Sequence, residues 1–220
     1  MRRYFTTTKE VINKFKIYDY IFFDLDNTVY DEFNYIKKII EKNYHNFNFS
    51  KLLTIKRFQQ KLPYIYKKYG NNKLINKIYY FFNINKLYLK KDIEYAKNVK
   101  SNFKLKCFKW FLKYLNNSDN INNNYIVTNG KKWRQLEKIK LLNLNKFIKK
   151  NNLIFADQFP KPSIKSLKNF KKISSYRVLM IGDHKVDAIF SKKMNFDFYK
   201  INFKRNMDGF VNENTIFFSH

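Results

Sequence analysis

Tyr20-Ile21-Phe22-Phe23 is an apolar run of strand length that stops abruptly at Asp24-Leu25-Asp26-Asn27-Thr28. A strand with one wet face alternates apolar and polar residues. An unbroken run predicts burial on both faces, the habit of parallel sheets. This strand, read as about Tyr18 to Phe23, delivers Asp24 and Asp26 to the rim of the sheet. In open α/β sheets ligands bind just beyond the carboxyl ends of the strands. The chain is therefore expected to be α/β, with its chemistry at that strand tip.

The rest of the chain fits this frame. Thr8 to Phe15 predicts a short helix, and beyond Asp31 the period becomes helical, with Phe33, Ile36, Ile40 and Tyr44 recurring at threes and fours. Leu52 to Leu62 predicts a second helix interrupted by Pro63, with a stop at Gly70-Asn71-Asn72. Leu74, Ile78 and Phe82 mark a third, and Ile84 to Val99 contains one more. Residues 32–101 thus read as a helical insertion, with 1–31 and 102–220 forming the core domain. The insertion's aromatics Phe33, Tyr35, Tyr44 and Phe47 sit at helical spacing and read as its core, though a base or sugar would also stack on such rings.

Strand signals return after the insertion. Phe103 to Leu115 predicts a helix, and Tyr125-Ile126-Val127-Thr128 a strand. Trp133 to Leu142 predicts a helix with Leu136, Ile139 and Leu142 on one face. Leu153 to Phe155 is a strand, Ser163 to Ile173 a helix, Val178 to Ile181 a buried strand, Val186 to Lys193 a helix and Phe198 to Phe203 a last strand. Strands alternating with helices imply a doubly wound parallel sheet with right-handed crossovers.

Composition narrows the setting. The formal charge of +28 fits a polyanion partner, but the lysines are spread along a chain crowded with Lys, Asn, Ile, Phe and Tyr. All of these have A/T-rich codons, so genome composition accounts for much of the charge. Cys107 is the only cysteine, which excludes an internal disulfide and fits a reducing, cytoplasmic setting. It lies in an apolar, helix-like stretch and reads as a small core residue. Met1 to Thr8 is basic and hydroxyl-rich without an apolar secretory core, and reads as a short exposed tail, with an organelle transit signal as the alternative. No apolar run reaches membrane-spanning length.

Three further polar clusters end predicted strands or loops: Thr128-Asn129-Gly130, Lys161-Pro162 and Gly182-Asp183 with Asp187. Taken singly, each has an ordinary explanation. Asp24 and Asp26 would serve a turn, Thr128 a strand end, and Asp183 and Asp187 the first turn of a helix. Jointly they say more, because the chain has only 17 acidic residues and four occupy these positions. Two of the four glycines, Gly130 and Gly182, also fall inside the clusters, where backbone is expected to approach a ligand closely.

In this order the four clusters resemble the motifs of the haloacid dehalogenase-like hydrolases, in the subfamily with a helical cap inserted after the first strand. The resemblance covers about Tyr18 to Phe203 and implies a Rossmann-like core with an inserted α-helical cap. It implies Asp24 as nucleophile on phosphorus and Asp26 as the acid and base that serves the leaving alcohol and then water. It also implies Mg²⁺ on the Asp24 carboxylate, the Asp26 backbone carbonyl and Asp183. Phosphate oxygens fall to Thr128 and the Asn129 amide, charge neutralisation to Lys161, and support to Asp187. His184 beside Asp183 reads as facing solvent or standing behind the ligands. An acid two residues after the nucleophile favours phosphoryl chemistry over dehalogenation, because halide leaves without a proton. Two features depart from the family pattern: Asn143 where many relatives carry glycine, and His184 in place of a small polar residue.

The expected activity is Mg²⁺-dependent hydrolysis of a small phosphomonoester, a nucleotide or a sugar phosphate, by a monomer or homodimer. A phosphomutase of the same family, a basic nucleic-acid-associated protein and a polynucleotide-end phosphatase are the alternatives. For nucleic acid, the sequence offers charge and aromatics but no helix-turn-helix, zinc-ligand or Arg-rich signature.

Overall fold

A computed structural model describes residues 4–5, 8–71, 73–117, 123–167 and 176–219. The chain divides into two compact units, one of residues 1–31, 104–204 and 213–220, the other of residues 32–103 and 205–212.

The first unit holds a seven-stranded sheet. In chain order its strands are β1 (Tyr4–Phe5), β2 (Tyr20–Phe23), β3 (Asn124–Thr128), β4 (Leu153–Phe155), β5 (Val178–Gly182), β6 (Asp197–Arg205) and β7 (Val211–Ser219). Across the sheet they run β1-β7-β6-β5-β2-β3-β4. The β4-β3-β2-β5-β6 pairings are parallel, with Phe23 opposite Ile126 on one side and Ile181 on the other. Strand order reverses at β2, so the crevice at its carboxyl end is where a sheet of this kind binds ligands.

Helices α1 (Thr8–Phe15), α6 (Lys109–Asn117), α7 (Lys132–Leu141) and α8 (Lys185–Met194) belong to this unit. Successive strand residues face opposite ways, so Phe22 and Phe23 anchor opposite layers. Phe22 packs with Val127, Val178, Met180 and Phe190 of α8. Phe23 meets Phe111 and Tyr114 of α6 edge-on or tilted, at 5.1 and 5.5 Å between ring centroids. Both phenylalanines are fully buried, each worth about 1.5–3 kcal/mol of apolar burial. The doubly wound arrangement follows directly: β2 is apolar throughout because both its faces are covered.

Several local expectations give way to tertiary packing. Phe103 to Phe108 is not helical, and α6 starts only at Lys109. Burial alternates from Lys104 to Cys107, Cys107 bridges to Tyr30, and the Leu105 amide donates to the Leu141 carbonyl at 3.1 Å. Cys107 is buried as expected, but on an extended segment, and burial pushes its thiol up to about 12. Tyr4–Phe5, read as tail, pairs antiparallel with β7, which follows the strand expected to be last. The helix expected from Ser163 to Ile173 lies partly outside the described residues, and its described part, residues 164–167, is a 3-10 turn.

The second unit contains α2 (Glu32–Lys42), α3 (Ile55–Tyr69), α4 (Leu74–Phe81) and α5 (Leu89–Asn98), and no strand among its described residues from 32 to 103. Phe33, Tyr35, Tyr44 and Phe47 are buried within it. Pro63 does not interrupt α3, because a proline removes one intrahelical hydrogen bond and buried packing holds the rest. The helix ends at Gly70, whose φ of 64° suits glycine. The sequence reading ended the insertion at residue 101, whereas residues 205–212, the turn between β6 and β7, group with the helices. Phe210 lies 5.5 Å from Phe33, and a Cβ on Gly209 would come within 2.8 Å of the Phe33 ring, so only glycine fits that turn.

This unit is pinned by Asp92, which is fully buried. It accepts from Asn48 N at 2.8 Å, Asn48 Nδ2 at 2.7 Å, Phe49 N at 3.1 Å and Tyr79 Oη at 2.7 Å. Truncation would strand two backbone amides and a hydroxyl without an acceptor. Asp92→Ala is therefore expected to cost about 3–5 kcal/mol in denaturant unfolding, and Asp92→Asn distinctly less.

Candidate active site

The site forms because three parallel strands end together and each continues into a polar loop. At the end of β2 the Asp24 amide still donates to the Ile181 carbonyl at 2.9 Å, which keeps Asp24 in register with the end of β5. The chain then turns through Asn27, at φ 57°, a left-handed conformation that asparagine tolerates. Thr128 ends β3 on one side, and Gly182-Asp183 ends β5 on the other.

Lys161 joins these tips. Its ammonium donates to Asp24 Oδ1 at 2.6 Å and Asp187 Oδ1 at 2.5 Å, with all three side chains nearly inaccessible. The Asn129 side chain fixes the lysine's backbone, accepting from Lys161 N at 2.8 Å and donating to Lys161 O at 3.3 Å. That leaves the Asn129 amide, not its side chain, for a ligand. Thr128 is buried, and among the described residues its hydroxyl has only a long 3.4 Å contact to the Asn129 carbonyl.

Asp187 belongs to the first turn of α8. Its Oδ2 accepts from the His184 amide at 3.2 Å, while His184 Nδ1 accepts from Val186 N at 3.3 Å, a reciprocal cap in which histidine stands where serine or threonine is usual. His184 is exposed and serves the helix end. Gly182 is required by this packing: a Cβ there would fall 2.5–2.7 Å from the Asp187 side chain. Gly130 has φ 101°, and the Gln135 amide, which donates to the Asn129 carbonyl at 2.6 Å, lies 2.9 Å from where its Cβ would be. Both motif glycines thus make room for neighbouring side chains.

Asp24, Asp183 and Asp187 can each place an oxygen within 4.8 Å of the others. Three carboxylates around one ammonium leave a local excess of negative charge. Burial pushes the Asp24 carboxyl up to about 7, with Asp187 and Asp26 adding to the rise and Lys161 opposing it. Burial acts to lower Lys161, but its two carboxylate partners hold it above the ordinary lysine value. Both shifts describe a site short of positive charge, and a hard divalent cation with oxygen ligands fits it. The third carboxylate of the cluster is Asp187, not Asp26. Both Asp187 oxygens are already engaged, one with the Lys161 ammonium and the other with the His184 amide.

The Asp26 carboxylate turns elsewhere. Lys138 Nζ donates to its Oδ1 at 2.7 Å and Oδ2 at 2.8 Å, and the Tyr30 hydroxyl donates to Oδ1. Sequence reading missed Lys138 because it took the inner face of α7 to be Leu136, Ile139 and Leu142. Leu136 is in fact 41% exposed, and Gln135, Lys138, Ile139 and Leu142 are buried. The available signal was spacing: Gln135, Lys138 and Leu142 share a face at threes and fours with Ile139.

A family description for haloacid dehalogenase-like hydrolases matches residues 21–201, most of the chain and all of the motif residues. The chain belongs to the haloacid dehalogenase-like hydrolases. Solved structures agree on the fold. A hydrolase of this superfamily, subfamily IA, from Geobacter sulfurreducens superposes with a TM-score of 0.58 at 15% identity, covering 83% of this chain and 86% of that one. A hydrolase from Streptococcus pneumoniae gives 0.55 at 13% identity, covering 83% and 91%. A conserved haloacid dehalogenase-like protein from Agrobacterium tumefaciens gives 0.53 at 13%, covering 82% and 81%. No curated protein matches the sequence. This hydrolase has no helix among its described residues long and apolar enough to cross a membrane.

Proposed function

We propose that the protein is a Mg²⁺-dependent phosphatase acting on a small phosphomonoester, a nucleotide or a sugar phosphate, through an aspartyl-phosphate. The observation that carries this reading is the Lys161 ammonium held between Asp24 and Asp187, beside a strand tip that offers the Thr128 hydroxyl. A buried carboxylate facing a fixed cation is suited to attack a phosphate dianion that it would otherwise repel. Asp24, Asp183 and the Asp26 backbone would hold the Mg²⁺. When bound, the ion supplies charge neutralisation for phosphate oxygens brought against carboxylates.

Asp24 forms a bond to phosphorus as the bond to the leaving oxygen breaks, and Asp26 gives that oxygen its proton. Water then attacks phosphorus, Asp26 takes a proton from it, and the Asp24–phosphorus bond breaks to release phosphate and the free carboxylate. Thr128 and the Asn129 amide hold the phosphate oxygens throughout, and Lys161 favours the ionised form of Asp24 and aims it. The helical insertion enters the chain just after Asp31, and we take it as the cap that selects the ester. Phosphate release from a panel of nucleoside and sugar monophosphates tests the reading. Release should require Mg²⁺ and stop with EDTA; an inert protein, or release indifferent to the chelator, would refute it. Transfer between sugar positions without net release would identify a mutase instead.

A further inference from the structure

Lys138 is the group that the proposed chemistry leaves without a task. It lies on the buried face of α7, 5% exposed, where a core leucine would ordinarily sit. Lysine is almost never this buried unless paired, and a buried ion pair contributes little net stability, so stability alone is a weak reason for its presence. Its ammonium spans both oxygens of Asp26, at 2.7 and 2.8 Å, while the Tyr30 hydroxyl donates only to Oδ1.

The two oxygens of Asp26 are therefore unequal. Oδ1 takes two donors from opposite sides in the chain, one from the loop after β2 and one from α7. Oδ2 takes one among the described residues, and that one is shared. A carboxyl that must hand a proton to a leaving oxygen and later take one from water needs a fixed orientation with one oxygen anchored and the other open to exchange. Resting on the phosphatase reading above, we propose that Lys138 is a positioning residue. Together with Tyr30 it anchors Oδ1 of Asp26, so that Oδ2 is the oxygen that exchanges protons with the leaving group and with water. Lys138 touches neither substrate nor phosphorus; it acts through Asp26.

The leaving group separates this role from a merely structural one. An alkoxide departs with help from a proton, whereas p-nitrophenolate departs without one. Glycerol 1-phosphate and p-nitrophenyl phosphate are therefore compared in the full-length protein with Mg²⁺. Lys138→Met is expected to lower kcat/KM, which reports only the steps through leaving-group release, about 100-fold on glycerol phosphate, the scale of a lost proton transfer, with p-nitrophenyl phosphate falling by less than about threefold. Hydrolysis of the shared aspartyl-phosphate also uses Asp26, so kcat should fall on both esters. Lys138→Arg, which keeps a cationic donor, should recover much of the loss. Tyr30→Phe, nearly isosteric, should give the same selective loss in smaller measure and serves if Lys138→Met fails to fold. Asp26→Asn should show the same signature, and combining it with Lys138→Met should add nothing.

Equal losses of kcat/KM on both esters, or no loss on either, would overturn the proposal while leaving the phosphatase intact. A wild-type protein inert on these esters and on the whole panel of nucleoside and sugar monophosphates would overturn the phosphatase reading, and this role with it.

Discussion

Asp24→Asn is expected to abolish phosphoester hydrolysis, by about 10⁴-fold or more, while making the protein more stable at pH 8 without divalent cation. The loss follows because an amide cannot take the place of the attacking carboxylate. The gain follows from the electrostatics. Burial first, then Asp187 and Asp26, raise the Asp24 carboxyl from 3.8 to about 7 against the pull of Lys161. A group raised in the folded state contributes stability that is present below its unfolded value and lost as pH rises through the folded one. Wild-type protein should therefore lose stability between about pH 4 and pH 7, and the full shift corresponds to about 4 kcal/mol. The asparagine also gives up an ion pair with Lys161, so the net gain expected at pH 8 is about 1–3 kcal/mol, shrinking toward pH 4. Denaturant unfolding in EDTA at the two pH values measures it. A variant less stable than wild type at pH 8 would contradict the account. Saturating Mg²⁺ should reverse the order, since only the wild type binds it well.

What was legible in the sequence was what repeats or stops. The apolar run of β2 and its end at Asp24 placed the sheet and the site, because burial on both faces leaves an unmistakable run. The four polar clusters placed Asp24, Thr128, Lys161, Asp183 and Asp187 on neighbouring loops, because parallel strands must end at the same edge. Asn143, which stands where many relatives carry glycine, has φ 58°, a left-handed conformation that asparagine tolerates.

What was not legible depended on partners distant in sequence. Lys138 looked like one lysine among many because its partner, Asp26, is 112 residues away. Gly182 looked like a ligand-approach glycine, yet its neighbour is the Asp187 side chain. Phe103 to Phe108 carried a helical composition, but its hydrogen bonds and packing go to Leu141 and Tyr30. The turn at 205–212 was counted with the core, beyond the strand expected from Phe198 to Phe203. Its allegiance to the helices comes from Gly209 and Phe210 against Phe33, which no local pattern announces. Chain order determines which loops meet, and side-chain chemistry then determines which atoms pair.

Lys161→Met is expected to move stability the opposite way from Asp24→Asn, though it also abolishes activity. The methionine fills similar volume but removes the ammonium that serves two buried carboxylates, at 2.6 and 2.5 Å. Breaking a buried pair from one side costs about 3–5 kcal/mol, because the charge left behind has neither water nor a partner. At pH 8 in EDTA the variant should therefore be less stable than wild type by about that amount. The deficit should narrow toward pH 5, where a proton on Asp24 takes over the lysine's electrostatic role. It should narrow again on adding Mg²⁺, and Lys161→Met with Asp187→Asn should be more stable than Lys161→Met alone, because removing both partners strands less charge. Taken with Asp24→Asn, these are opposite signs from one cause. Removing a negative charge from the cluster helps the fold, and removing the positive one harms it. If both variants instead destabilise to a similar degree, the cluster is not short of positive charge, and the argument that it holds a divalent cation fails with it.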